Sequence, residues 1–133
     1  MKTIKIGLFL FLPTLLFIVS CSKSGTKALD KGVYYNAVLQ AVDKLKKNID
    51  NDKAADVLPQ AYSLASDEIL VDISLAKKAN QQFRWERVLD GYSKLNNMYD
   101  LIAKCTASRR EVSAKSYFKE AEEARDFAAN ERY

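Results

Sequence analysis

Residues 83–105 read Phe-Arg-Trp-Glu-Arg-Val-Leu-Asp-Gly-Tyr-Ser-Lys-Leu-Asn-Asn-Met-Tyr-Asp-Leu-Ile-Ala-Lys-Cys. Phe83, Trp85, Val88, Leu89, Tyr92 and Leu95 form a dense apolar stripe at helical spacing. Asn96-Asn97 interrupts it, and Met98, Tyr99, Ile102 and Cys105 resume it. Asparagine tolerates the left-handed conformation that a tight interhelical turn needs. The stretch is therefore either a helical hairpin turning at Asn96-Asn97 or one long helix, and the asparagine pair favours the hairpin. Trp85 and Tyr92 fall on the stripe and read as core.

The same periodicity runs outward in both directions. Upstream, Tyr34, Val38, Ala41, Val42, Leu45 and Ile49 recur at steps of three and four, with Lys44, Lys46 and Lys47 in the last turn, where cations suit the helix dipole. Asp50-Asn51-Asp52 reads as a turn. Ala54, Leu58, Ala61, Tyr62 and Ala65 mark a second helix. Pro59 cannot sit deep inside it without losing a hydrogen bond, so the helix either starts near Asp56 or kinks at Pro59. Ser66-Asp67 looks like a break and a new N-cap, with Ile69, Ile73 and Ala76 carrying a third helix. Downstream, Thr106 to Ser113 reads as a polar connection. Ser116 can cap a last helix striped by Tyr117, Ala121, Ala124 and Ala128, with Lys119, Glu120, Glu122, Glu123 and Arg125 on a solvated face. No stretch alternates with period two long enough for a sheet, so the expected fold class is all-α.

The amino-terminal end has a different character. Lys2 and Lys5 head an uncharged run, Ile6 to Val19, rich in Leu, Phe and Ile, which closes on Ile18-Val19-Ser20-Cys21. The run ends at Lys23, short of the ~20 apolar residues that span a bilayer, and Gly7 and Pro13 weaken it as a permanent helix. It reads as a removed export signal rather than a single-pass anchor. The last four residues resemble the lipobox of bacterial lipoproteins. That resemblance implies cleavage between Ser20 and Cys21, a diacylglycerol thioether on Cys21 and acylation of the new amino terminus. Several acyl chains at roughly 0.8 kcal/mol per buried CH₂ make such an anchor stable. The expected organisation is a signal peptide at 1–20, a lipidated flexible tether at 21–27 (small and polar through Ser22 to Lys27), and a helical domain at 28–133. In the same family, an aspartate directly after the cysteine directs inner-membrane retention, and an acidic run directs surface display. Neither is present, so the resemblance implies the outer membrane, facing the periplasm.

Loss of the leader leaves 113 of the 133 residues, one small domain. Lys2 and Lys5 leave with it, so 19 basic side chains face 17 acidic ones, a balance of +2 instead of the +4 of the whole chain. The charges are interspersed, with no basic stripe of the kind nucleic acid requires. With Cys21 assigned to lipid, Cys105 stands alone and reads as a small buried hydrophobe. Histidine is absent, which removes imidazole triads and His metal sites.

Helix pairs joined by short turns raise the question of an internal repeat. Trp85-x₂-Val88-Leu89-x₂-Tyr92 resembles the first helix of a tetratricopeptide repeat, with Leu89 where glycine is usual and Asn96 in the turn slot. Gly32, Tyr34, Ala37, Val38, Ala41 and Leu45 resemble a second helix, with Ile49 in place of the closing proline. Ala55-x₂-Leu58 and Tyr62 open a divergent middle unit that has Pro59 in the glycine slot. Leu101 and Ser108 depart from the usual alanines. The likeness covers about Gly32 to Cys105 and implies antiparallel hairpins stacked as a short tetratricopeptide-like array; a generic antiparallel bundle is the alternative. The whole chain is also similar to uncharacterised Bacteroidota lipoproteins with such helices, through Phe83 to Arg87, Tyr99-Asp100 and Cys105. That group has no established chemistry to carry over.

A stacked array would present a concave face including Lys53, Asp56, Gln60, Glu86, Asp90 and Lys94, suited to mixed polar contacts with a protein partner. The expected function is a membrane-anchored scaffold for protein–protein interaction in the cell envelope, with no catalytic residues, no metal, no nucleic acid and no cofactor beyond the covalent lipid. The contrasting class is a lipid-tethered periplasmic enzyme or small-ligand binder, which requires an enclosed cavity or an activated acid; Glu120 and Glu123 are the only paired carboxylates that suggest themselves. Tyr117, Phe118 and Phe127 on the last helix lack an evident partner in the sequence. A truncated product of a longer repeat lipoprotein is therefore a third expectation.

Overall fold

Asn48 to Asn51 turns the chain between its second and third helices. The computed structural model describes residues 24–131, and there Asn48 Oδ1 accepts the Asp50 N–H at 3.1 Å while Asn51 Oδ1 accepts the Ala54 N–H at 2.8 Å, an N-cap. The helices are α1 (Thr26–Asp30), α2 (Tyr34–Lys47), α3 (Asp52–Lys78), α4 (Arg84–Ala103), α5 (Thr106–Glu111) and α6 (Phe118–Glu131). No strand occurs among the described residues. The leader at 1–20, the lipid site at Cys21 and its cleavage bond, and Ser22-Lys23 lie outside the described residues.

Two expected turns are helical. α3 passes through Ser66-Asp67 without a break, because Ala65, Ile69, Ile73 and Ala76 continue the buried stripe of Ala54, Leu58 and Ala61. A local capping signal worth about 1 kcal/mol yields to a continuous apolar face whose larger side chains each contribute ~1.5–3 kcal/mol on burial. α3 also begins at Asp52, so Pro59 sits inside it, on an exposed position. α4 likewise runs through Asn96-Asn97 as one helix. Asn96 is buried and satisfied there, its Oδ1 accepting the Tyr117 N–H at 2.6 Å, while Asn97 Nδ2 donates to the Tyr35 hydroxyl at 2.7 Å.

Three smaller corrections concern boundaries. The expected connection at Thr106 to Ser113 holds the short helix α5, which buries Ala107 and Ser108. The last helix starts at Phe118, and Tyr117, whose carbonyl accepts from Ala121 N–H, replaces Ser116 at its entry. The stretch expected as a tether is folded from Gly25 onward. Gly25 is buried at φ 95°, and a Cβ there would meet the Ala37 carbonyl oxygen at 2.5 Å, so only glycine fits.

The helices pack in chain order: α2 on α3, α3 on α4, and α4 on α6, with α2 also reaching α4 and α5 touching α2, α3 and α4. Val38, Val42, Leu45, Leu58, Val88, Leu95, Met98 and Ile102 fill the centre with almost no exposure. An extended segment, residues 112–117, leads from α5 to α6. It is held twice: Lys115 N–H donates to the Tyr62 hydroxyl at 2.9 Å on α3, and Tyr117 N–H to Asn96 on α4.

Candidate functional site

The groove between α3 and α4 owes its depth to Gly91. A Cβ at that position would meet Ile73 Cγ1 at 2.5 Å, so glycine lets the two helices approach closely around Ile69 and Ile73. Above this apolar floor stand Asp72 on α3 and Glu86, Arg87, Asp90 and Lys94 on α4, enclosing about 400 Å³. Glu86 is half-buried; the other four are exposed. Asp90 and Lys94 pair at 3.0 Å, one helical turn apart.

Phe83 closes one end of the groove. It stands directly before α4 at φ 62°, ψ 21°, and is 53% exposed. Positive φ is costly for a bulky L-residue, of order 1–3 kcal/mol, and burial of the ring does not offset it here. A neighbouring hollow of about 280 Å³ shares Gln82, Phe83 and Glu86 and reaches the Arg84–Glu131 ion pair, 3.1 Å.

The six residues expected on one concave face fall in two places. Glu86, Asp90 and Lys94 line the groove. Lys53, Asp56 and Gln60 are exposed on the first turns of α3, with about 14 Å of helix between Gln60 and Ile69. The separation follows from α3 being one helix: with no turn at Ser66-Asp67, its start is never brought back beside the start of α4. Sequence reasoning missed Asp72, Arg87, Gln82 and the lip role of Phe83. The glycine within the apolar stripe of α4 was the available signal for a close approach.

The aromatics of the last helix find partners on α4. Trp85 stacks on Phe127 at 4.4 Å, Tyr92 on Tyr117 at 5.9 Å, and Tyr99 meets Phe118 edge-on at 5.8 Å. Tyr92 is buried and its hydroxyl accepts from Lys77 Nζ at 2.9 Å, while Trp85 is half-buried. Both are packing residues, as their place on the stripe indicated. Cys105 is free and buried. Glu120 is half-buried and Glu123 exposed on α6, far in sequence from the groove residues.

Among the described residues, no group of three or more His, Cys, Asp or Glu is placed to hold a metal ion. No described helix is long and apolar enough to cross a membrane. Comparison with family models, with curated proteins and with solved structures returned no match.

Proposed function

We propose that this chain is a lipid-anchored helical adaptor of the bacterial envelope. Cys21 carries the diacylglycerol and N-acyl chains at the outer membrane, and the helical body faces the periplasm and holds a protein partner. The observation that carries the reading is the α3–α4 groove: a rim of mixed charge from Asp72, Glu86, Arg87, Asp90 and Lys94 over the buried Ile69 and Ile73, with the exposed aromatic Phe83 at its end. Such a surface suits polar, reversible contacts with another protein around an apolar anchor. The leader ending in Ser20-Cys21 supports the anchor. Antiparallel helices stacked in chain order support an array that is tetratricopeptide-like in its sequential packing, with helices longer than that repeat's. The reading requires no cofactor other than the covalent lipid.

Affinity capture from detergent-solubilised envelopes tests the adaptor, with intact-mass analysis of the captured chain testing the anchor. The expected result is a reproducible partner and a chain beginning at acylated Cys21. Recovery of the protein alone would dispose of the adaptor, and an unmodified sulfur at position 21 would dispose of the anchor.

A further inference from the structure

Only Ser22, Lys23 and Ser24 separate Cys21 from Gly25. Fully extended, that link reaches about 14 Å at most. Gly25 itself is fixed in the fold. It is buried at φ 95°, its carbonyl accepts the Leu29 N–H at 2.9 Å, and α1 directly after it packs on both α2 and α3. The turn beyond α1 is held as well, with Val33 N–H donating to the Ala28 carbonyl at 2.9 Å. An acylated Cys21 therefore leaves little free chain. It brings the bilayer surface within about 14 Å of the corner that α1 forms with α2 and α3.

The exposed side of this corner is basic. Lys27 in α1 and Lys31 at its C-cap stand one helical turn apart, both exposed, and neither has an ion-pair partner among the described residues. Val33 beside them is apolar and 43% exposed. Between Cys21 and Asp43 the sequence holds Lys23, Lys27 and Lys31 against the single acid Asp30. Each lysine near an anionic bilayer surface is worth about fivefold in binding. The α3–α4 groove lies well away from the corner. Gly25 sits over Val57, and about 24 Å of α3 separates Val57 from Ile73.

We propose that the α1 corner docks on the anionic headgroups of the bilayer that holds Cys21, with Lys27 and Lys31 against lipid phosphates and Val33 at the interface. The acyl chains supply the attachment, and the lysines choose which face of the body meets the lipid. The short link keeps the corner at high local concentration over the surface, so a few weak contacts suffice to fix it. The inference rests on the anchor reading and specifies how the body stands on its membrane: held at α1, with the groove remote from the contact.

The test places the purified acylated chain in phosphatidylcholine vesicles with or without phosphatidylglycerol, all carrying nitroxide-labelled headgroups. A fluorophore is attached at Asn36→Cys, in the first turn of α2, or at Asn80→Cys, beyond the far end of α3, in a C105A background; both labelled positions are exposed. With phosphatidylglycerol present, the headgroups quench the dye at position 36 strongly and the dye at position 80 weakly. K27E/K31E lowers the ratio of docked to free chain by about tenfold or more. K119E/R125E, the same charge change on α6, leaves it unaltered. Equal quenching at the two positions, no dependence on phosphatidylglycerol, or equal effects of the two double variants overturns the proposal. Intact-mass analysis of the same sample separates it from the anchor reading. If the chain is acylated and vesicle-bound yet gives one of those results, the anchor stands and the docked corner falls; an unmodified sulfur at position 21 removes both.

Discussion

Asn96 Oδ1 accepts the backbone N–H of Tyr117 across 2.6 Å, tying the middle of α4 to the entry of α6. Asn96 is buried and Tyr117 half-buried, so the bond is partly shielded from water and its loss leaves a donor without a partner. Asn96→Ala is expected to destabilise the chain by about 1–3 kcal/mol and to raise amide exchange across residues 117–131 first. Asn97→Ala, on an exposed position, is expected to cost well under half as much. Denaturant melts with site-resolved hydrogen exchange check both; equal effects at the two positions would show that the Asn96 bond does not hold α6.

Trp85 and Phe127 stack at 4.4 Å with an interplanar angle of 19°. Among the described helices α6 packs on α4 alone, through its buried alanines Ala121, Ala124 and Ala128 and these rings. A double-mutant cycle with Trp85→Ala and Phe127→Ala is expected to yield a coupling of about 0.5–1.5 kcal/mol. A coupling near zero would mean the rings are neighbours without mutual stabilisation.

Gly91→Ala sets two effects against each other. Alanine gains about 1 kcal/mol of helix propensity. Its Cβ, however, would lie 2.5 Å from Ile73 Cγ1 and 2.9 Å from Cδ1. Overpacking of that kind costs about 1–3 kcal/mol, so the net effect is expected to be a loss. In an Ile73→Ala background the clash is removed, and the same substitution is expected to stabilise. Thermal melts of the four chains read the sign change directly.

Pro59 occupies an exposed interior position of α3. Its ring nitrogen has no hydrogen for the Ala55 carbonyl, and the ring crowds that turn. Pro59→Ala is expected to raise stability by about 1 kcal/mol or more. The gain falls below the full cost of an interior proline, because proline also restricts the unfolded chain. A lowered midpoint in urea would show that the proline's geometry is part of the helix's packing.

Helix content, most of the buried stripe positions and the turn at Asn51 were legible because they depend on neighbours within four residues, whereas Ile49 and Phe83, placed on the stripes by spacing, lie beyond the helix ends and are exposed. Val38, Ala41, Val42 and Leu45 lie on the stripe by spacing alone, and all are buried. The two misplaced turns share one cause. Ser66-Asp67 and Asn96-Asn97 have side chains that offer the backbone a local alternative to helix. For Asn96 the alternative was removed by a partner 21 residues away, which no local pattern encodes. The groove was half legible: Glu86, Asp90 and Lys94 lie on one helical stripe, whereas Asp72 joins them only because α3 and α4 close over Gly91.

By itself, the sequence determined an all-helical chain, the face each helix buries and an amino-terminal stretch of different character, because periodicity and composition act at short range. Only the tertiary structure decided that α3 and α4 are single long helices and that Trp85, Tyr92 and Tyr99 are the partners of the last helix's aromatics. Those outcomes depend on burial and hydrogen bonds between residues far apart in the chain, whose energies outweigh the local turn signals.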